Sequence, residues 1–91
     1  MAKYDGIKNQ ELLDFEKTKD ELTLIFKDNR YLFIKIKNGD FSVDLAACNS
    51  AKGQELQGVE EGNNEITLLF KDSKLPVKAQ SGKLEIDSIP E

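Results

Sequence analysis

The sequence predicts an all-β domain of about eight antiparallel strands. They come from two repeated four-stranded meanders of about 44 residues each, related by a pseudo-two-fold axis in a β-sandwich or a small barrel. Three observations predict this: an internal repeat, runs of strict apolar–polar alternation, and short turn sequences between the runs.

The repeat is read directly. Residues 10–28 match residues 54–72 at ten of nineteen positions. Gln10-Glu11-Leu12 aligns with Gln54-Glu55-Leu56, Glu21 with Glu65, Thr23 with Thr67, Leu24 with Leu68, Phe26 with Phe70 and Asp28 with Asp72. Further on, Gly39, Phe41, Val43 and Asp44 align with Gly82, Leu84, Ile86 and Asp87, now at an offset of 43 rather than 44. The first copy therefore carries one extra residue between Asp28 and Gly39. Residues 1–91 are read as one domain, with repeat one at about 2–45 and repeat two at about 46–89.

Each copy opens with an acidic strand, carrying Leu13 and Phe15 in the first and Leu56 and Val59 in the second. Next in the first copy, Leu22, Leu24 and Phe26 alternate with polar or outward residues and form a buried face. A two-residue turn at Asp28-Asn29 would pair Leu24 with Phe33 and Leu22 with Lys35, against the burial of Ile34 and Ile36. A β-bulge or a longer turn between Asn29 and Ile34 is the expected remedy. Asn38-Gly39 then predicts a tight hairpin, because both central residues of such a turn need positive φ. It places Ile36 opposite Phe41, Ile34 opposite Val43 and Lys37 opposite Asp40.

Residues 46–53 link the copies, with a helical turn allowed. In the second copy Ile66, Leu68 and Phe70 form the buried face, followed by a turn at Asp72-Ser73. This pairs Phe70 with Leu75, Leu68 with Val77 and Ile66 with Ala79. A second turn at Ser81-Gly82 pairs Ala79 with Leu84, Val77 with Ile86, and Lys78 with Glu85 on the outer face.

Composition bounds function by exclusion. The net charge is −4 with no His, which disfavours phosphate backbones and anionic lipid and suits a basic protein partner. The single Cys48 forms no internal disulfide and is read as a small connecting residue, not a reactive thiol. The first residues, Met1 to Gly6, show no apolar leader, and the apolar run Tyr31–Ile34 spans four residues, so a cytoplasmic setting is expected. Without His, the commonest general base is missing, and no phosphate loop, nucleophile elbow or dinucleotide fingerprint occurs. Neither an enzyme nor a bound cofactor or metal is expected. The Glu60–Glu65 stretch offers oxygen ligands but matches no calcium-loop spacing.

The expected function is a non-enzymatic protein-interaction module. Two surfaces are candidates: an acidic arm centred on Glu60 and Glu61, and an outward apolar patch of Ile25, Tyr31, Phe33 and Leu69. Ile25 and Leu69 occupy equivalent positions in the two copies. The alternatives are a small-ligand β-barrel with a cavity between the meanders, and a symmetric homo-oligomer, such as a homodimer, built on strand edges.

Overall fold

A computed structural model describes residues 6–89. The start of repeat one and the leader reading at residues 1–5 lie outside the described residues. The strands are β1 (Leu12–Lys17), β2 (Glu21–Phe26), β3 (Arg30–Lys37), β4 (Phe41–Val43), β5 (Leu56–Gly62), β6 (Glu65–Phe70), β7 (Lys74–Ala79) and β8 (Lys83–Ile89). One short helix, α1 (Leu45–Ala51), occupies most of the link between the copies. The Asp44 side chain accepts a 2.9 Å hydrogen bond from Ala46 N, satisfying one of the helix's free amides. The strands form two four-stranded antiparallel sheets, which do not close into a barrel. The barrel alternative is therefore set aside.

The sheets are not the two meanders. Sheet 1 has the order β1-β2-β3-β8 and sheet 2 the order β4-β7-β6-β5. Each copy supplies three adjacent strands to one sheet and sends its fourth strand to the other. The expected β3–β4 and β7–β8 hairpins are replaced by their exchanged equivalents. Ile36 lies opposite Leu84 instead of Phe41, and Ile34 opposite Ile86 instead of Val43. Phe41 lies opposite Ala79, and Val43 opposite Val77. The register read from the sequence holds in each case, and only the donor copy changes. Lys37 is consequently opposite Lys83, not Asp40.

Local backbone chemistry explains why the hairpins do not close. A tight two-residue hairpin of this kind needs positive φ at both central positions. Asn38 has a φ of 58°, but Gly39 does not adopt the left-handed region. Gly82 has a φ of 76°, but Ser81 does not share it. Each segment turns only partway and carries the chain to the opposite sheet. The two crossing segments run against one another. Gln80 N and Ser81 N both donate to Asp40 O, at 2.8 and 3.2 Å, and Asp40 N donates to Ser81 Oγ at 3.1 Å. The exchange also balances volume, setting large Phe41 against small Ala79 and Ile36 against Leu84.

The pseudo-two-fold extends to single hydrogen bonds. Leu12 N donates to Gln54 O at 2.9 Å, and its counterpart Leu56 N to Gln10 O at 3.0 Å. Gly53 N donates to Leu12 O at 2.8 Å, and Asn9 N to Leu56 O at 2.7 Å. Asn9 and Gly53 are equivalent residues and both have positive φ, 68° and 86°. Ile36 N to Asp20 O and Ala79 N to Asn64 O, both 2.9 Å, form another such pair.

Two expected registers are corrected. The β6–β7 turn is Lys71-Asp72, so Leu68 faces Leu75 and Ile66 faces Val77. That is a shift of two residues, which leaves every side chain on its expected face. Lys78 accordingly meets Glu65 at 3.8 Å, while Glu85 meets Lys37 at 3.4 Å. In the first copy the extra residue lies in the turn itself. Phe26 pairs with Arg30, leaving Lys27-Asp28-Asn29 as a three-residue loop in which Asp28 and Asn29 have φ of 64° and 58°. β3 itself is unbulged. The bulges fall instead between Leu12 and Asp14 in β1 and between Leu56 and Gly58 in β5, again equivalent positions. They turn Leu13 outward, where it is 48% exposed, and set Leu12 and Phe15 on the inner face.

The inner faces of both sheets join one core. Leu22, Leu24, Phe26, Leu32 and Ile34 come from sheet 1, and Ile66, Leu68, Phe70, Leu75 and Val77 from sheet 2. Burying a side chain of this size stabilises by about 1.5–3 kcal/mol. α1 adds Cys48 and Ala51, and Ile7, the counterpart of Ala51, is buried as well.

The crossing is testable. A Cβ on Gly82 would meet Lys37 O at 2.1 Å, whereas a Cβ on Gly53 would meet nothing within 4 Å, although both have positive φ. Gly53→Ala should cost the conformational strain alone, about 1 kcal/mol. Gly82→Ala should cost at least about 2 kcal/mol more, since backbone must also move apart. Urea midpoints at unchanged slope measure both.

Candidate protein-binding face and the buried thiol

Outward residues of sheet 1 stand in rows across the strands. One row runs Asp14, Ile25, Tyr31 and Ile89, from β1 through β2 and β3 to β8. The next runs Glu16, Thr23, Phe33 and Asp87. The rings of Tyr31 and Phe33 stack with centroids 5.9 Å apart at 16°. Ile25, Tyr31 and Phe33 are half-buried by one another and by their neighbours, while Ile89 is 51% exposed. Four apolar side chains therefore occupy adjacent places on three neighbouring strands. Carboxylates border them on both sides, Asp14 and Glu16 on β1 and Asp87 on β8. The far end of the sheet is different: there Glu21 meets Lys35 at 3.9 Å and Glu85 meets Lys37, so charges offset one another.

Asp14 is held ionised. Its carboxylate accepts a 2.8 Å bond from Phe15 N, and Lys52 lies 3.3 Å away. The backbone bond first, and then the Lys52 ammonium by hydrogen bond and charge, hold its pKa below the ordinary carboxylate value. Lys52 also lies 5.6 Å from the centre of the Phe15 ring.

The six residues expected to form an interface are divided by the fold. Ile25, Tyr31 and Phe33 share the outer face of sheet 1. Leu69 and Glu60 lie on the outer face of sheet 2, where Leu69 is flanked by Gly58 and Lys74. Glu61 is opposite Ile66 and so turns to the other side of β5 from Glu60. The repeated pair Ile25/Leu69 is a consequence of the duplication, and its two members sit on different sheets. Ile89 and Asp87 were missed as partners of the aromatics. Their outward parity was readable from the alternation Lys83, Glu85, Asp87, Ile89, but their place beside β3 depends on the strand exchange.

Among the described residues no group of three or more His, Cys, Asp or Glu side chains is placed to hold a metal. No helix among them is long and apolar enough to cross a membrane. No protein-family model, curated protein or solved structure matches the chain.

Cys48 is buried in α1 against the core. Burial first, and the nearby Asp44 charge second, push its thiol up to about 11 from 9.0. A thiol so placed stays protonated at neutral pH and is a poor nucleophile. The linkage has a definite sign. Between pH 9 and 11 the unfolded chain has lost the Cys48 proton while the folded chain keeps it. The unfolded state binds fewer protons there, so stability falls as pH rises. Wild-type protein should lose more unfolding free energy across this window than Cys48→Ala, which lacks the group. Urea titrations at several pH values give the difference, and equal slopes for the two proteins would contradict the buried thiolate penalty.

Proposed function

We propose that the protein acts by binding another protein, without chemistry of its own, and that the outer face of sheet 1 makes the contact. The observation that carries this reading is the adjacency of Ile25, Tyr31, Phe33 and Ile89 across three strands. Monomeric surfaces rarely gather apolar side chains in this way without a partner for them. Aromatic anchors in the middle of a patch are the usual source of binding energy, because they bury large areas at small entropic cost.

The partner fitted by this face is a protein segment carrying apolar and basic side chains together. The apolar residues would cover the Tyr31–Phe33 stack. The basic ones would meet Asp14 and Glu16 on one border and Asp87 on the other. Such bordering charge mainly speeds encounter and selects the partner, while the apolar centre sets the lifetime of the complex. The acidic stretch at Glu60 and Glu61 belongs to the other sheet and supports this contact only through the general field of the molecule.

Capture from native lysate tests the reading when run with three proteins. Wild type should retain a specific protein, and the Tyr31→Ser/Phe33→Ser variant should lose it, with a drop in affinity of roughly 100-fold or more. A Glu60→Lys/Glu61→Lys variant should retain it. Salt should lower the yield without abolishing it. If the aromatic variant captures the same protein as well as wild type does, sheet 1 is not the binding face. If only the acidic variant loses it, the contact lies on sheet 2.

A further inference from the structure

Six asparagines occur in the chain, and Asn38 alone is followed by glycine. The neighbour matters because the main-chain nitrogen of the next residue can attack an asparagine side chain. A side chain on that next residue stands in the path of the attack, and glycine has none. The structure contains its own comparison. Asn29, Asn38 and Asn64 are all exposed, with φ of 58°, 58° and 57°. Arg30 follows the first and Glu65 the third, so of the three only Asn38 meets an unshielded nitrogen.

Asn38 also begins the crossing, where the segment from β3 to β4 runs against the segment from β7 to β8. A Cβ on Gly39 would lie 2.1 Å from Ser81 O, and one on Gly82 would lie 2.8 Å from Gly39 N. Just beyond, Asp40 O accepts from Gln80 N and Ser81 N, and Asp40 N donates to Ser81 Oγ. The equivalent of Asn38 in the second copy is Ser81, which has no amide to lose. The crossing lies at the Lys37 end of β3. Gly6 and Ile89, the two ends of the described chain, lie at the opposite end, against Arg30 and Tyr31.

We propose that Asn38-Gly39 is a site of spontaneous deamidation, and that its isoaspartyl product loosens the crossing on which the strand exchange depends. Gly39 N attacks Cγ of Asn38 and forms an N–Cγ bond. The Cγ–Nδ2 bond breaks, and the amide leaves as ammonia, taking up the proton that Gly39 N gives up. Water then opens the cyclic imide, adding its hydroxyl to a carbonyl carbon and its proton to the nitrogen. Opening at Cγ leaves aspartate in a chain of normal length. Opening at the main-chain carbonyl leaves isoaspartate, whose backbone runs through the side-chain methylene and is one carbon longer.

Ring closure needs Gly39 N to turn toward Cγ, which the packed crossing resists. The reaction therefore proceeds from moments when the two segments part. The added carbon of the isoaspartyl chain has no room while Gly39 lies against Ser81 and Gly82. It holds the segments apart and weakens the bonds at Asp40, so the crossing opens more readily after the reaction than before it. The aspartate product keeps the backbone length. Its carboxylate stands next to Lys37, which faces Lys83 across the strands, and so meets favourable charge. Only one of the two products loosens the fold.

Peptide mass mapping of the full chain, incubated at mildly alkaline pH with and without urea, gives the test. In the folded chain Asn38 should lose its amide about tenfold or more faster than Asn29 or Asn64, because only its neighbour lacks a side chain. Urea should speed the loss at Asn38 further, by opening the crossing. The fraction carrying isoaspartate at position 38, separated by chromatography, should then unfold at a lower urea midpoint than unreacted chain. Freshly prepared Asn38→Asp should keep the wild-type midpoint, which assigns the loss to the longer backbone and not to the charge. If Asn38 of the folded chain keeps its amide as long as Asn29 and Asn64, the crossing shields it and the proposal fails. It fails equally if the isoaspartyl form unfolds at the wild-type midpoint, or if Asn38→Asp loses as much stability as that form.

Discussion

The pairing of β3 with β8, and of β4 with β7, holds the two halves of this chain together. The other strand contacts, β1 with β2 with β3 and β5 with β6 with β7, remain within one copy. Without the exchange, the two three-stranded units would meet chiefly through side chains across the core. With it, each sheet carries backbone hydrogen bonds from both copies, and neither can be completed by its own sequence. The short symmetric bridge near Glu11 and Glu55, with the Leu12–Gln54 and Leu56–Gln10 bonds, ties the opposite end. The two ties clamp the core between them, which leaves the outer face of sheet 1 as a rigid platform for Tyr31 and Phe33.

Much of this fold was legible in the sequence. Alternation identified the buried faces of β2, β6 and β7, and the repeat placed equivalent residues in equivalent surroundings. What was not legible was which copy supplies the fourth strand. Duplication makes β4 and β8 nearly interchangeable, so the inward residues of either satisfy the register of β3. Ile36 accepts Leu84 as readily as Phe41 by pattern alone. The difference lies in whether Gly39 and Ser81 take positive φ, and residue type does not decide that. The bulges were better signposted than they looked. Leu56 and Val59, three residues apart on an inward face, cannot share a regular strand face, and the same spacing separates Leu12 from Phe15.

The candidate face was half legible for the same reason. Ile25, Tyr31 and Phe33 sit on neighbouring strands joined by a local turn, so their proximity follows from the chain itself. Ile89 and Asp87 arrive from about 55 residues away through the exchanged strand, and no local pattern announces them. Leu69 shows the opposite error. Equivalence in a duplicated sequence implies equivalent positions about the pseudo-two-fold, which here means opposite faces of the molecule, not a shared patch.

The exchanged strand also sets the order in which the fold can be made. β3 ends at Lys37, and the strand that completes its sheet begins at Lys83, 46 residues later. At ribosomal rates of ~5–20 residues per second, that interval lasts about 2–9 s. Hairpins form about a million times faster, in microseconds. The first three strands must therefore wait as an incomplete sheet, with Ile34 and Ile36 lacking the side chains that will cover them. Both repeats have to leave the ribosome before sheet 1 is finished, so the two repeats mature as one cooperative event.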